Sequence, residues 1–410
     1  MEHPSPDQMV LADDWSNLAR FRTPPEIDQD RLRAYRLDRI KQGLKKQDAA
    51  LCLLTNPISM RYAADYNSYL QFQSHIPSTY VVVPQDGPVV LYNAYGPSPA
   101  ADEARPGRAL AHFDGGNELA DQARLLADDI VNFLSEIGTD KRRVALEYVN
   151  PSLTQALLQR GIEVSDGVMI SEDARVIKSE DEVDCIRWAV AVAELGISKM
   201  KEALRPGVTE LQLWGLLNYT NLANAGAWHD GRMLASGDRI NPWLQEASDR
   251  VIQSGDMVGF DTDMIGPNGY FADISRTFHC GPAKPTKRQR QLYRTAVEEI
   301  EHNLKLIKPG ISFTELQRLA WPIPEEFQEN AYPCIVHGVG MCDEYPKIDP
   351  IHRRVNVYDG TVEAGMVLCI ESYIGAVGER DGVKLEQQVL VTDEGYELLS
   401  HYPLEEALLE

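Results

Sequence analysis

The chain has 410 residues, 43% of them hydrophobic and 25% charged, with a formal net charge of −22. Those values suit a soluble globular protein of about two domains with ample core. So acidic a balance argues against nucleic acid or an anionic membrane as partner, and a cationic or zwitterionic small ligand fits the field better. The six cysteines (Cys52, Cys185, Cys280, Cys334, Cys342 and Cys369) are scattered, with no C-x-x-C pair. They read as reduced thiols rather than a disulfide scaffold or zinc knuckle. The N-terminus, MEHPSPDQMVLADDW, has no apolar signal core, and no run of about 18 apolar residues is present to span a bilayer. A cytoplasmic enzyme or binding protein is expected.

Residues 1–31 are polar and contain Pro, and read as an N-terminal arm. The spacing predicts a helix from Gln29 to Lys46, then an apolar strand at LCLLT and a turn entering a helix at NPISMRYAADY. TYVVVP and PVVLYN alternate like a hairpin around Gly87, and LADDIVNFLSEI followed by RRVALEYV completes an α/β unit. A boundary is expected at VIKSEDEVDCIRWAV, where Ser179 and Glu182 form a capping box before a long helix. After Pro206-Gly207 come another helix, strands rich in Gly and Asp, and further helices, with no internal repeat.

The second half gathers acids in unexpected places. FDTDMIGPNGYFADISRTF sets Asp261, Asp263 and Asp273 in what otherwise reads as two strands around a Gly-Pro-Asn-Gly turn. His337 in VHGVG, Glu371 in CIESYIG and Glu386 in VKLEQQVLV likewise interrupt apolar, β-branched runs. One acid in a strand reads as an outward-facing residue. Five acids and a histidine in one domain would repel one another and destabilise the fold unless a cation compensates. A bound metal supplies that compensation, and an oxygen-rich set with one imidazole suits iron or manganese.

RVIKSEDEVDCIRWA, GYFADISRTF, HGVG, the glutamate of IESYIG and GVKLEQQVLVTDEGYELL together resemble the pita-bread metallopeptidases, the family of methionine aminopeptidase, prolidase, aminopeptidase P and creatinase. The resemblance implies an α/β (α+β) fold: a creatinase-like N-terminal α/β domain over 32–175, then a pita-bread catalytic domain over 176–410. It also implies a homodimer, and metal ligands at Asp261, Asp273, His337, Glu371 and Glu386 for one or two divalent transition ions. Iron comes first, with manganese, zinc, nickel and cobalt as alternatives.

Three departures set the chain apart from the peptidases. Asp263 stands where they place a small residue, usually glycine, which makes it an additional ligand or else a solvent-facing loop residue. Trp243, after Pro242, stands where they carry a substrate-binding histidine. HGVGMCDEYP is one residue shorter than their motif, and Asp343 replaces their second histidine. Retained ligands beside replaced histidines resemble the dimethylsulfoniopropionate lyases of marine bacteria. That resemblance implies cleavage of a zwitterionic sulfonium substrate to dimethyl sulfide, acrylate and a proton, with Asp343 as base and a metal on the substrate carboxylate. Trp243 and Tyr332 are the candidate aromatic partners for the sulfonium, although core packing is open for both. Trp15, Tyr66, Trp228 and Tyr345 are further aromatics that nothing in one sequence places in a pocket. A prolidase-type dipeptidase or aminopeptidase, and a non-catalytic binding module, stay open as alternatives.

Overall fold

The structure is a computed structural model that describes residues 24–354 and 358–410. Most of the arm expected over 1–31, Trp15 included, lies outside the described residues. Contacts divide the rest into two compact units, Asp28–Arg175 and Val176–Glu410.

The first unit is a six-stranded mixed sheet of β1 (Leu51–Leu54), β2 (Tyr80–Pro84), β3 (Val90–Tyr92), β4 (Glu103–Arg105), β5 (Arg143–Leu146) and β6 (Glu163–Asp166), in the order β4-β3-β2-β1-β5-β6. Its central strands are apolar on both faces because helices cover them. Helix Leu119–Glu136 buries Leu126, Ile130, Phe133 and Leu134 at helical spacing, in one core with Leu51, Leu53, Val82 and Val144. Helix Gln29–Lys46 is capped by Asp28 and buries Leu32, Arg36, Ile40 and Leu44, one residue per turn.

The second unit wraps helices around antiparallel strands. Its strands are β7 (Trp228–His229), β8 (Leu234–Ser236), β9 (Met257–Asp261), β10 (Met264–Ile265), β11 (Phe271–Ala272), β12 (Ser275–His279), β13 (Val336–Val339), β14 (Asp343–Ile348), β15 (Val367–Ile374), β16 (Val383–Val391) and β17 (Tyr396–Leu398). They form sheets of order β11-β10-β7, β12-β9-β8 and β14-β13-β15-β16-β17. Capping boxes start all three long helices: Ser179 with Glu182 before Glu180–Ala203, Thr209 with Gln212 before Glu210–Ala223, and Thr286 with Gln289 before Lys287–Leu304. Helix Lys287–Leu304 buries Leu292, Tyr293, Ala296 and Ile300 against Leu368, Ile370, Leu385 and Val389 of the five-stranded sheet.

Side chains stitch β12 to β16. Thr277 Oγ1 accepts from Lys384 N at 3.0 Å and donates to Lys384 O at 2.9 Å, while Arg276 Nη1 donates to Glu386 O at 2.7 Å. The acid-rich stretch forms four strands rather than the two expected. The chain leaves β9 at Thr262-Asp263, where Asp263 takes a φ of 37°, and a second small hairpin, β10–β11, closes over Asn268 at φ 56°. A left-handed residue cannot continue a strand, so the ladder breaks there.

Candidate metal centre

Neighbouring strands bring the acids to one place. Glu371 of β15 and Glu386 of β16 are direct cross-strand partners, Asp261 of β9 pairs with Ser275 of β12, and His337 of β13 pairs with Cys369 of β15. His337 Nε2 lies 3.0 Å from Glu371 Oε1, 3.5 Å from Glu386 Oε1 and 3.6 Å from Asp273 Oδ2. Its Nδ1 lies 3.0 Å from Gly338 O and 3.5 Å from Asp343 Oδ1. Candidate ligand atoms fall within 4.8 Å of one another in three groups: Asp273, His337, Cys369 and Glu386; Asp261, Glu371 and Glu386; and Asp261, Asp263 and Asp273. Asp343 differs from the rest in being 67% exposed at its side chain, at the rim rather than inside.

Like charges placed opposite one another in a sheet are unfavourable, and removing them from water adds to the cost. Burial, with Glu386 and Asp261 nearby, holds the Asp273 carboxyl well above its ordinary range. Burial, with Asp261 and Asp343, does the same for Asp263, and burial with Glu386 raises Asp261. His337 is held well above the usual imidazole value: burial opposes the shift, but Asp343 and the adjoining carboxylates of Glu371 and Glu386 outweigh it. One built-in cation offsets part of the charge. Lys384 is fully buried, 2.8 Å from Asp261 Oδ2, 3.5 Å from Glu386 Oε2 and 2.7 Å from Ser275 Oγ, and bonded to Glu371 Oε2. Burial would lower its pKa, yet those three carboxylates raise it well above the ordinary lysine value.

The Metallopeptidase family M24 model matches residues 184–393, and the Creatinase/Prolidase N-terminal domain matches 36–177. This chain belongs to metallopeptidase family M24. The M24 relatives include dimethylsulfoniopropionate lyase DddP of Roseovarius nubinhibens, 34% identical over 93% of this chain and 88% of that protein. DddP of Roseobacter denitrificans is also 34% identical, over 98% of this chain and 92% of that protein. Among solved structures, the Xaa-Pro dipeptidase of Bacillus anthracis superposes with a TM-score of 0.72 at 22% identity, covering 91% of this chain and 98% of that one. That likeness concerns the fold: a creatinase-type N-terminal domain followed by a pita-bread domain.

M24 enzymes depend on divalent metal ions, and the residues present fit one. Asp261 Oδ1, Asp273 Oδ1 and Glu386 Oε1 are buried without a hydrogen-bond partner among the described residues, and an orphaned buried carboxylate oxygen is costly unless a cation meets it. Of the residues singled out in the sequence, the structure gathers Asp261, Asp263, Asp273, His337, Glu371 and Glu386, with Asp343 beside His337. Tyr332 borders this cluster through Lys384, whose Nζ lies 4.7 Å from its ring centroid. Trp243 lies apart, 5% exposed in the core among Ile240, Gly259 and Tyr373, with its ring 6.1 Å from that of Tyr373. Sequence reading missed Lys384 and Cys369. A lysine in the apolar run GVKLEQQV is a signal of the same kind as the acids, whereas Cys369 reads as an ordinary core residue.

Proposed function

We propose that this chain is a metal-dependent lyase that cleaves dimethylsulfoniopropionate to dimethyl sulfide, acrylate and a proton by base-promoted β-elimination. The observation that carries the reading is the exposed Asp343 carboxylate, 3.5 Å from His337 Nδ1, at the rim of a complete ligand cluster. Asp343 stands where the peptidases carry a histidine. Two relatives that align over nearly the whole chain are named as lyases for this substrate, which supports the reading.

Asp261, Asp263, Asp273, His337, Glu371 and Glu386 would hold the metal, with iron proposed first on the strength of the oxygen-rich donor set. A divalent ion there binds a carboxylate and stabilises negative charge developing on it. Asp343 removes the proton from the carbon next to the substrate carboxylate. The C–H electron pair becomes the new C=C bond, and the C–S pair leaves with sulfur as neutral dimethyl sulfide. His337, hydrogen-bonded on its other nitrogen to Glu371, keeps Asp343 at the rim. Tyr332 lines the cluster on the Lys384 side. Assembly as a homodimer belongs to the same proposal, and light scattering on the purified protein tests it.

Headspace gas chromatography after mixing metal-replete protein with dimethylsulfoniopropionate tests the activity. Rapid, protein-dependent release of dimethyl sulfide is expected. No release overturns the reading, and release of proline or N-terminal residues from a peptide panel would place the chain with the hydrolytic members.

A further inference from the structure

Neither aromatic singled out for the sulfonium is well placed for it. Trp243 is packed in the core against Tyr373. Tyr332 already has the Lys384 ammonium over its ring, and a second cation on that ring would be repelled. A different corner of the same site offers what a sulfonium needs.

In β7, side chains alternate between faces. His229 turns inward: its Nδ1 lies 2.6 Å from Thr262 O, its ring meets the edge of Trp214 at 5.0 Å, and burial lowers its pKa to about 4, so it is neutral. Trp228 therefore projects from the opposite face, and Asp230, exposed and just past the strand, meets it there. Trp228 is half-buried, and its Nε1 donates to Asp230 Oδ1 at 3.1 Å, which pins the indole by one edge. Asp230 N in turn donates to Asp263 O at 3.0 Å. A Cβ at the next residue, Gly231, would come 3.8 Å from Asp263 Oδ2, so this segment runs along the metal-site carboxylate. Asp343 lies within electrostatic range of both Asp230 and Asp263.

We infer that Trp228 and Asp230, pinned together beside Asp263, form the recognition corner for the onium end of the substrate. This rests on the lyase reading and deepens it. A sulfonium has no N–H or O–H to donate, so hydrogen-bond geometry cannot select it. An aromatic face together with a carboxylate selects it through charge and dispersion. The corner gives the substrate's cationic end a place distinct from its carboxylate end, with Asp343 within electrostatic range.

The test compares dimethylsulfoniopropionate with 4-methylpentanoate, a neutral-tailed isostere in which CH replaces S⁺. Trp228→Leu should raise KM for the sulfonium about tenfold. Asp230→Asn, which keeps an acceptor for the indole N–H, should raise it several-fold. Inhibition by 4-methylpentanoate should stay within about twofold of wild type in both. Wild-type metal content and melting temperature certify that each variant folds, and Asp230→Asn alone decides if Trp228→Leu does not. An unchanged KM, or equal weakening of both ligands, overturns the inference while leaving the lyase reading intact. If wild type releases no dimethyl sulfide, the lyase reading fails. Calorimetry with the same two compounds then judges the corner by itself: a preference for the onium that Asp230→Asn abolishes upholds it, and no preference refutes it.

Discussion

Two aspartates of the same site, Asp343 and Asp263, stand in different surroundings. Asp343 is solvent-exposed at the rim, which suits the proposed base, a group that meets substrate and then sheds its proton. Asp343→Asn should lower turnover by at least about a hundredfold with metal content unchanged; normal turnover would remove Asp343 from the mechanism. Asp263 is half-buried, at a φ of 37° that glycine adopts without cost. Keeping a strained aspartate there is reasonable if its carboxylate is used. Asp263→Gly relieves both the strain and one charge of the cluster. It should raise the melting temperature of chelator-treated protein while lowering metal occupancy, read by elemental analysis; full occupancy would reduce Asp263 to a loop residue. That an aspartate at 263 is out of place in an apolar strand is legible in the sequence. Its left-handed backbone is not, because φ depends on the hairpin that follows.

At the scale of elements, helix Lys287–Leu304 does more than cover the five-stranded sheet. It buries Glu299, which accepts from Ser372 Oγ at 2.6 Å, directly beside Glu371. Burial raises the Glu299 carboxyl to about 8 against the Ser372 hydrogen bond, which lowers it. The folded pKa lies above the unfolded value of 4.5, so its stability contribution is full below pH 4.5 and is lost as pH rises towards 8. Glu299→Gln keeps a partner for Ser372 and cannot ionise. Its melting temperature should exceed that of wild type at pH 8 and match it near pH 4.5; parallel curves across that range would refute the assignment. That further helices follow the Gly- and Asp-rich strands is legible in the sequence. The partner of Glu299 is not, since it lies 73 residues away and only sheet packing brings it there.

For the whole molecule, the second unit buries four carboxylates (Asp261, Asp273, Glu371 and Glu386), with Asp263 half-buried beside them, against two cationic side chains, His337 and Lys384. The balance is closed by a ligand that binds only the folded state, so metal should appear as stability. Chelation is expected to lower the melting temperature by at least about 5 °C, reversed on restoring the ion. Lys384→Met removes the internal cation and leaves buried carboxylates uncompensated, at a cost of roughly 3–5 kcal/mol. Its chelated form should melt far below chelated wild type, with the gap narrowing when metal is added. Equal gaps in both forms would show that Lys384 acts through packing alone.

The sequence by itself determined most of the secondary elements, the Ser179–Glu182 capping box, the acidic net charge, and which acids are out of place in apolar strands. Those are local properties: periodicity, cap chemistry and residue type are read within a few positions. Only the tertiary structure decided that Glu371 and Glu386 face each other, that Lys384 and Cys369 belong to the same cluster, that Trp243 is core, and that Trp228 is pinned beside Asp263. Strand partners lie up to dozens of residues apart, and a one-residue change of register would turn every one of these side chains to the other face of its sheet.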